Sequence, residues 1–317
     1  MKILITDKMA NEAIELLKDA GHDVTFDEMD GETLLKEISA YDALMVRGRT
    51  KAVKEVVEAG ASGSLKVIGR AGIGVDNVDI ETAAKLGIPV VNAPTGSTAS
   101  VAELAIGHML ALSRHLSKAD MTMKKGEWIK KQLKGNELGG KTLGLVGCGN
   151  IGRLTGKFAQ AFGVNVIGYD PFVSKEDLKK DEIEKIDELA ELMGKADFIS
   201  LHLPHIPKTH HIVNKQMISK MKLTACIINC ARGGTVDEKA LYTALKNGKI
   251  AGAGLDVYEQ EPPKDSPLLQ LDNIMLTPHI GANTKEGQIR AGTVCAEQIL
   301  KVLDGEEPDF CVNKHLM

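Results

Sequence analysis

The sequence predicts an α/β protein made of two doubly wound, parallel-sheet domains. Three observations carry this. Short apolar runs and helix-patterned stretches alternate along most of the 317 residues. The runs are consecutively apolar, as in Ile3-Leu4-Ile5, which suits strands covered on both faces. The length is large for a single core and fits two domains of roughly 150 residues each.

In chain order, Lys2 to Thr6 predicts the first strand. A helix from about Met9 to Ala20 follows, with Ala13, Leu16, Leu17 and Ala20 at helical spacing and Gly21 set to stop it. Val24 to Phe26, Ala43 to Val46, Val67 to Ile68 and Val90 to Val91 read as further strands, with helices near 31–39, 51–60 and 79–86 between them. A long apolar helix is expected over 98–115, buried and suited to a subunit interface. The stretch with Lys124, Lys125, Lys130, Lys131 and Lys134 reads as a solvated face, with Trp128 expected to anchor it to the core.

A second alternating block starts at Lys141. Its strands are expected at 142–146, 164–169, 197–201, 225–229, 250–254 and 273–276. Its helices are expected at 151–162, 187–194, 214–220, 237–247 and 284–303. The last helix lies beyond this block and is expected to return to the first. The predicted domains are therefore 1–97 with 285–317, and 98–284.

Composition excludes several classes. Hydrophobic residues make up 43% and charged residues 26%, ordinary for a globular protein. A net charge of −4 gives no general attraction to nucleic acid or anionic membrane, so an anionic ligand needs a local cluster. The five cysteines (Cys148, Cys226, Cys230, Cys295, Cys311) form no C-x-x-C pair. They read as reduced thiols of a cytoplasmic protein rather than a disulfide or zinc framework. Asp7 and Lys8 interrupt the apolar start that a signal peptide needs, and no apolar run approaches the roughly 18 residues of a membrane helix.

One motif has strong context. The strand Thr142 to Val146 runs into Gly147-Cys148-Gly149-Asn150-Ile151-Gly152, a G-x-G-x-x-G, and a helix follows at once. The next strand ends in Asp170, 18 residues after Gly152, near the spacing of about 20 for a ribose-binding acid. Gly147 permits the tight turn, Gly149 lets backbone approach a pyrophosphate, and Gly152 allows close helix–strand packing. The helix N-terminus offers unpaired N–H groups to the phosphates. Asp170 would repel a 2′-phosphate, and Pro171 and Phe172 stand where an arginine would accept one. NAD is thus favoured over NADP.

Three further residues follow predicted strands: Arg232 in N-C-A-R-G-G (229–234), Glu261 in D-V-Y-E-Q-E-P-P (256–263) and His279 in P-H-I-G-A (278–282). In open α/β sheets ligands bind at the carboxyl ends of strands. Together with the glycine motif, these segments resemble the D-isomer-specific 2-hydroxyacid dehydrogenases. V-R-G-R-T-K (46–51), G-R-A-G-I-G-V-D-N-V (69–78) and E-L-G-G-K-T-L-G-L-V-G (137–147) are similar to its D-3-phosphoglycerate dehydrogenase branch.

The resemblance implies a Rossmann-type NAD-binding domain beside a discontinuous, flavodoxin-like substrate domain, with substrate held between them. It implies that His279 is the acid–base group, that Glu261 holds its ring, and that Arg232 clamps the substrate carboxylate and polarises the C2 oxygen. Backbone amides of Ile73 and Gly74 would hold the same carboxylate. Cofactor contacts would fall on Ile73, Asn150, Ile151, Asp170, Leu203, Cys230, Ala231, Arg232, Asp256, His279 and Gly281. Arg47 would bind a substrate phosphate, with Arg49 or a lysine of 130–134 assisting, across a homodimer formed through the 98–115 helix. His202, His205, His210 and His211 cluster in the loop expected to cover the cofactor, and their spacing fits no metal-ligand pattern. The expected reaction is NAD-dependent oxidation of 3-phospho-D-glycerate, in a short form without the serine-sensing domain of longer relatives. A glyoxylate or hydroxypyruvate reductase of the same family stays open, as does an NAD-sensing corepressor-like binding protein.

Overall fold

In the computed structural model, which describes every residue from Met1 to Met317, the chain divides into two units. The first comprises Met1–Thr98 with Ala282–Met317, and the second Ala99–Gly281.

The first unit begins β1 (Lys2–Ile5), α1 (Asn11–Asp19), β2 (Asp23–Phe26), α2 (Gly31–Glu37), β3 (Ala43–Val46), α3 (Lys54–Ala61), β4 (Val67–Arg70), α4 (Ile80–Lys85) and β5 (Val90–Asn92). The strands form one parallel sheet in the order β2-β1-β3-β4-β5. Ile3 pairs with Val24 on one side and Ala43 on the other. Strands with neighbours on both sides and helices on both faces must be apolar throughout. Ile3, Leu4 and Ile5 are accordingly fully buried. Asp30 and Asp79 cap α2 and α4 by accepting the backbone N–H of Thr33 and Thr82.

The second unit runs α5 (Thr98–Arg114), α6 (Leu116–Lys124), β6 (Thr142–Val146), α7 (Asn150–Ala161), β7 (Asn165–Tyr169), α8 (Lys175–Lys180), β8 (Glu184–Lys185) and α9 (Leu189–Lys195). It continues with β9 (Phe198–Leu201), α10 (Lys215–Ile218), β10 (Cys226–Asn229), α11 (Glu238–Lys246), β11 (Gly252–Leu255) and β12 (Ile274–Leu276). All seven strands are parallel, in the order β12-β11-β10-β9-β6-β7-β8. Chain direction across the sheet reverses between β6 and β9, the switch point where such sheets bind dinucleotides. Helix α12 (Lys285–Leu303) then packs against α1, β4 and β5 of the first unit.

The helix expected over 98–115 is present as α5. His115 then takes the left-handed conformation at φ 53°, and α6, which was not expected, starts after it. Other expectations fail locally. Trp128 does not anchor to the core: it is 77% exposed. Its neighbourhood offers only a single 3₁₀ turn, Lys130–Gln132, without one buried residue. The helix α8 and the two-residue edge strand β8 were not expected; both are too short to imprint a period on the sequence.

Candidate active site

The Gly-rich turn links β6 to α7. Gly147 sits at φ 96°, and a Cβ there would lie 2.5 Å from the carbonyl oxygen of His202. A Cβ on Gly152 would lie 2.3 Å from the carbonyl oxygen of Gly147. Both positions therefore exclude side chains, for reasons of backbone rather than of ligand. Gly149 differs: a Cβ there would meet nothing. It is the N-cap of α7, and no side chain caps that helix. The first N–H groups of α7 face open space that a ligand anion can enter.

Asp170 follows β7. Its Oδ2 accepts the N–H of Cys148 at 2.9 Å and its Oδ1 that of Phe172 at 2.9 Å. The carboxylate thus ties the Gly-rich turn to the next strand end and keeps a lone pair on each oxygen for ribose hydroxyls. The groups that NAD requires are met here by the N–H donors at the open N-terminus of α7 and by this acid as acceptor. Cys148 is buried, its thiol pushed up to about 12 by burial, so it is a packing group and not a nucleophile.

Leu203, Cys230 with Ala231 and Arg232, Asp256, and His279 with Gly281 follow the carboxyl ends of β9, β10, β11 and β12. The loop after β10 is clamped by buried Asn229. Its Nδ2 donates to the carbonyl of Arg232 at 3.0 Å and to Thr235 Oγ1 at 3.1 Å, and its Oδ1 accepts the N–H of Ala231 at 3.1 Å. Thr235 Oγ1 donates to the same Arg232 carbonyl at 2.7 Å. The loop ahead of Arg232 is therefore rigid on both sides, and the guanidinium Nη1 donates to the Ala231 carbonyl at 2.8 Å.

His279 and Glu261 meet. His279 Nδ1 lies 2.8 Å from Glu261 Oε2, while Glu261 Oε1 accepts the N–H of Tyr258 at 3.2 Å. A carboxylate accepts only, so Nδ1 carries the proton and Nε2 is the open nitrogen. The His279 side chain is 50% exposed, which leaves that nitrogen reachable. His279 itself sits at φ 51°, an unfavourable value for a non-glycine residue. Its backbone is held by the N–H donating to the carbonyl of Asp256 at 2.8 Å. Asp256, fully buried, accepts the N–H of Ile280 at 2.8 Å and that of Gly281 at 2.7 Å. The sequence reading offered Asp256 as a cofactor contact; its visible task is to hold the loop that carries His279.

In the first unit, Ile73 and Gly74 follow β4 and Arg47 follows β3. Asn92 Nδ2 donates to the Ile73 carbonyl at 2.7 Å, and Asn77 Nδ2 to that of Arg47 at 2.8 Å. The buried carboxylate of Asp7 accepts the N–H of Arg47 and of Thr50, and pairs with Arg49 Nε at 3.2 Å. The Arg49 guanidinium also donates to the carbonyls of Thr6 and Met29. Arg49 is thus committed within the fold and is a poor phosphate ligand. Arg47 Nη1 reaches only the Lys8 carbonyl, at 3.2 Å. Asp7, Asn77, Asn92 and Asn229 escaped sequence reasoning because their partners, apart from the local Arg232 loop, lie far along the chain.

The four loop histidines form no metal cluster. His205 Nε2 lies 3.0 Å from His210 Nδ1, His210 stacks on His211 at 3.9 Å, and His211 pairs with Glu259 at 2.9 Å.

A parallel sheet in this order, with an open Gly-rich turn, a ribose-side acid and an Arg–Glu–His set on consecutive strand ends, defines a dinucleotide-binding α/β protein. The chain belongs to the D-isomer-specific 2-hydroxyacid dehydrogenases: residues 106–281 match the family's D-isomer specific 2-hydroxyacid dehydrogenase, NAD binding domain. It is 52% identical to a D-3-phosphoglycerate dehydrogenase of Methanocaldococcus jannaschii, over 99% of this chain and 59% of that protein. It is 47% identical to a hydroxypyruvate reductase of Thermotoga maritima, over 95% of this chain and 98% of that protein. The solved structure of a glyoxylate reductase from Paecilomyes thermophila superimposes with a TM-score of 0.89 at 30% identity, covering 99% of each chain. The chain thus spans about three fifths of the length of the phosphoglycerate dehydrogenases it matches.

Proposed function

We propose that this protein is an NAD-dependent dehydrogenase oxidising 3-phospho-D-glycerate to 3-phosphohydroxypyruvate. The observation that carries the chemistry is the His279–Glu261 pair, with Nδ1 engaged at 2.8 Å and Nε2 open. Bound NAD supplies the hydride acceptor. Arg232 binds the substrate carboxylate and polarises the C2 oxygen with a planar fork suited to a planar group. His279 Nε2 takes the hydroxyl proton as the C2 hydrogen leaves as hydride, and returns it in the reductive direction. Glu261 keeps the ring in one tautomer and faces the imidazolium once formed. Gly147, Gly149, Asn150, Ile151 and Gly152 receive the pyrophosphate, and Asp170 the adenosine ribose. The first unit acts as the substrate-binding part, with the amides of Ile73 and Gly74 on the carboxylate and Arg47 on the phosphate.

The phosphorylated substrate is supported by the names of the relatives at 52% and 45% identity and by the guanidinium of Arg47, which is held only by the exposed Lys8 carbonyl. A homodimer is supported by exposed apolar side chains on α6 and just beyond it, where Leu116, Met121, Met123 and Trp128 are all at least half exposed. No helix is long and apolar enough to cross a membrane, and all five cysteines are free, in keeping with a cytoplasmic enzyme.

A second reading has its own support. The hydroxypyruvate reductase relative matches this chain along nearly its whole length. Rates with 3-phosphoglycerate and NAD, against hydroxypyruvate and glyoxylate with NADH, separate the two. The Arg47→Ala variant is the sharper test. It should lower kcat/KM for phosphohydroxypyruvate by about 100-fold, the loss of a charge-assisted contact, and for glyoxylate by less than about threefold. Equal losses on both substrates overturn the phosphate assignment.

A further inference from the structure

We infer that His108, on α5, is a positioning residue for the catalytic loop, acting on His279 through Thr277 and Asp256. The functional meaning rests on the acid–base role given to His279 above.

Thr277 Oγ1 lies 2.6 Å from Asp256 Oδ1, and a hydroxyl facing a carboxylate donates its only hydrogen to it. His108 Nε2 lies 3.1 Å from the same Oγ1. Since the hydroxyl hydrogen is used, Nε2 must be the donor. The three residues form a directed chain: His108 Nε2–H to Thr277, Thr277 O–H to Asp256, with Asp256 accepting the amides of Ile280 and Gly281. Those amides immediately follow His279. Such chains polarise along their length, so the far donor strengthens the near bond.

The other ring nitrogen supports this directionality. His108 Nδ1 is buried without a partner, which a protonated Nδ1 would make costly and a bare lone pair less so. Its ring fits only because position 254 is glycine: a Cβ there would lie 2.4 Å from Nδ1. Burial also holds the imidazole below its ordinary pKa, against the opposing pull of Asp256. The titratable groups around the chain are Asp256, Tyr258 and the thiol of Cys230, which burial keeps protonated. Tyr258 is pushed up to about 12, mainly by burial, and its hydroxyl donates to the Thr277 carbonyl at 2.9 Å. None of them gives Thr277 a competing acceptor that would reverse the chain. On a buried apolar helix a leucine would pack as well; a histidine whose one donor aims at the catalytic loop has a positional task.

The test uses the full-length protein with ¹⁵N-labelled histidine, and the variants His108→Leu and His108→Gln, the amide of Gln being able to donate from the Nε2 position. Wild-type His108 should appear as the neutral Nε2–H tautomer at pH 7.5. The ring signals of His279 should move in His108→Leu and return in His108→Gln. With NADH and hydroxypyruvate, His108→Leu should lose about fivefold in kcat, the worth of one neutral hydrogen bond, with KM moved by less than about twofold. His108→Gln should recover most of it. An Nδ1–H tautomer, unmoved His279 signals, or equal losses in both variants in step with their melting temperatures would overturn the inference. A wild type that turns over no 2-keto acid, yet whose His279 signals respond as described, sinks the reaction assigned above and leaves the positioning role standing.

Discussion

The two units answer the same problem in opposite ways. Each is a parallel sheet with a reversal of strand order, between β1 and β3 in the first unit and between β6 and β9 in the second. Each reversal opens a crevice at the strand ends. In the first unit that place is plugged. Asp7, buried just after β1, accepts hydrogen bonds from three donors of Arg47 and Thr50 and pairs with Arg49. In the second, glycines leave it open, with no side chain capping α7. The architecture supplies the crevice; one carboxylate against one glycine decides whether a pyrophosphate can enter it.

The strongest way to break that contrast is to close the open turn. Gly149→Asp introduces a side chain into space where a Cβ meets nothing, so the fold should accept it. An N-cap aspartate should even stabilise α7 slightly, by roughly 0.3 kcal/mol relative to glycine. Yet its carboxylate would occupy the place of the pyrophosphate. NADH affinity, read by fluorescence titration, should fall by at least about 100-fold, the reach of a like charge in a desolvated anion site, while thermal stability stays or rises. Retained NADH binding would show that the open N-terminus of α7 is not the phosphate site.

The converse opens the closed end. Asp7→Ala removes a buried acceptor from the amides of Arg47 and Thr50, the Thr50 hydroxyl and the Arg49 guanidinium. Arg49 is half exposed, so its charge returns to water and adds little. The stranded amides dominate, and a loss of about 3 kcal/mol is expected in urea unfolding. NADH affinity should change by less than about threefold, because the Gly-rich turn and its acid lie in the other unit. A variant as stable as wild type would mean that Asp7 is not the keystone of its loop.

How much of this was legible in the sequence follows the same divide. The open turn was readable because its needs are local: Gly147, Gly149 and Gly152 within six residues, and Asp170 one strand later. The Arg232, Glu261 and His279 segments were readable for a similar reason, each being a short strand-end motif. The plug was not readable. Asp7 and Arg49 are 42 residues apart, and an aspartate after a strand has many fates. His108, in an apolar helix 169 residues from Thr277, gave no local signal either. Trp128 shows the opposite error, in which the largest apolar side chain was assigned to the core although its surroundings supply none.

The smallest expected effect sharpens the contrast in proton chemistry. Seven of the nine histidines lie in the second unit. His202, beside the Gly-rich turn, is partly buried; its Nε2 lies 2.8 Å from Ser200 Oγ and its Nδ1 has no partner. Burial pushes it down to about 3 from an ordinary 6.5. A base whose pKa is depressed on folding binds fewer protons than the unfolded chain. Its stability is therefore complete above about pH 6.5 and declines as pH falls from there toward 3, by at most about 1.4 kcal/mol per pH unit. In the first unit the shifted acids are all lowered, Asp30 and Asp42 from 3.8 chiefly by backbone hydrogen bonds from Thr33 and Lys2, Glu307 from 4.5 and Asp309 from 3.8 chiefly by Lys314 and Lys301, so their stability is lost only as pH falls through and below that range. Glu238 in the second unit, raised mainly by burial, shifts the other way and offsets part of the loss on acidification. The variant His202→Gln isolates the effect, since it can keep the bond to Ser200 without titrating. The stability of wild type relative to this variant should drop by about 1.4 kcal/mol between pH 7.5 and 5.5 in urea unfolding. A difference independent of pH would mean that His202 titrates normally and is not sealed beside the turn.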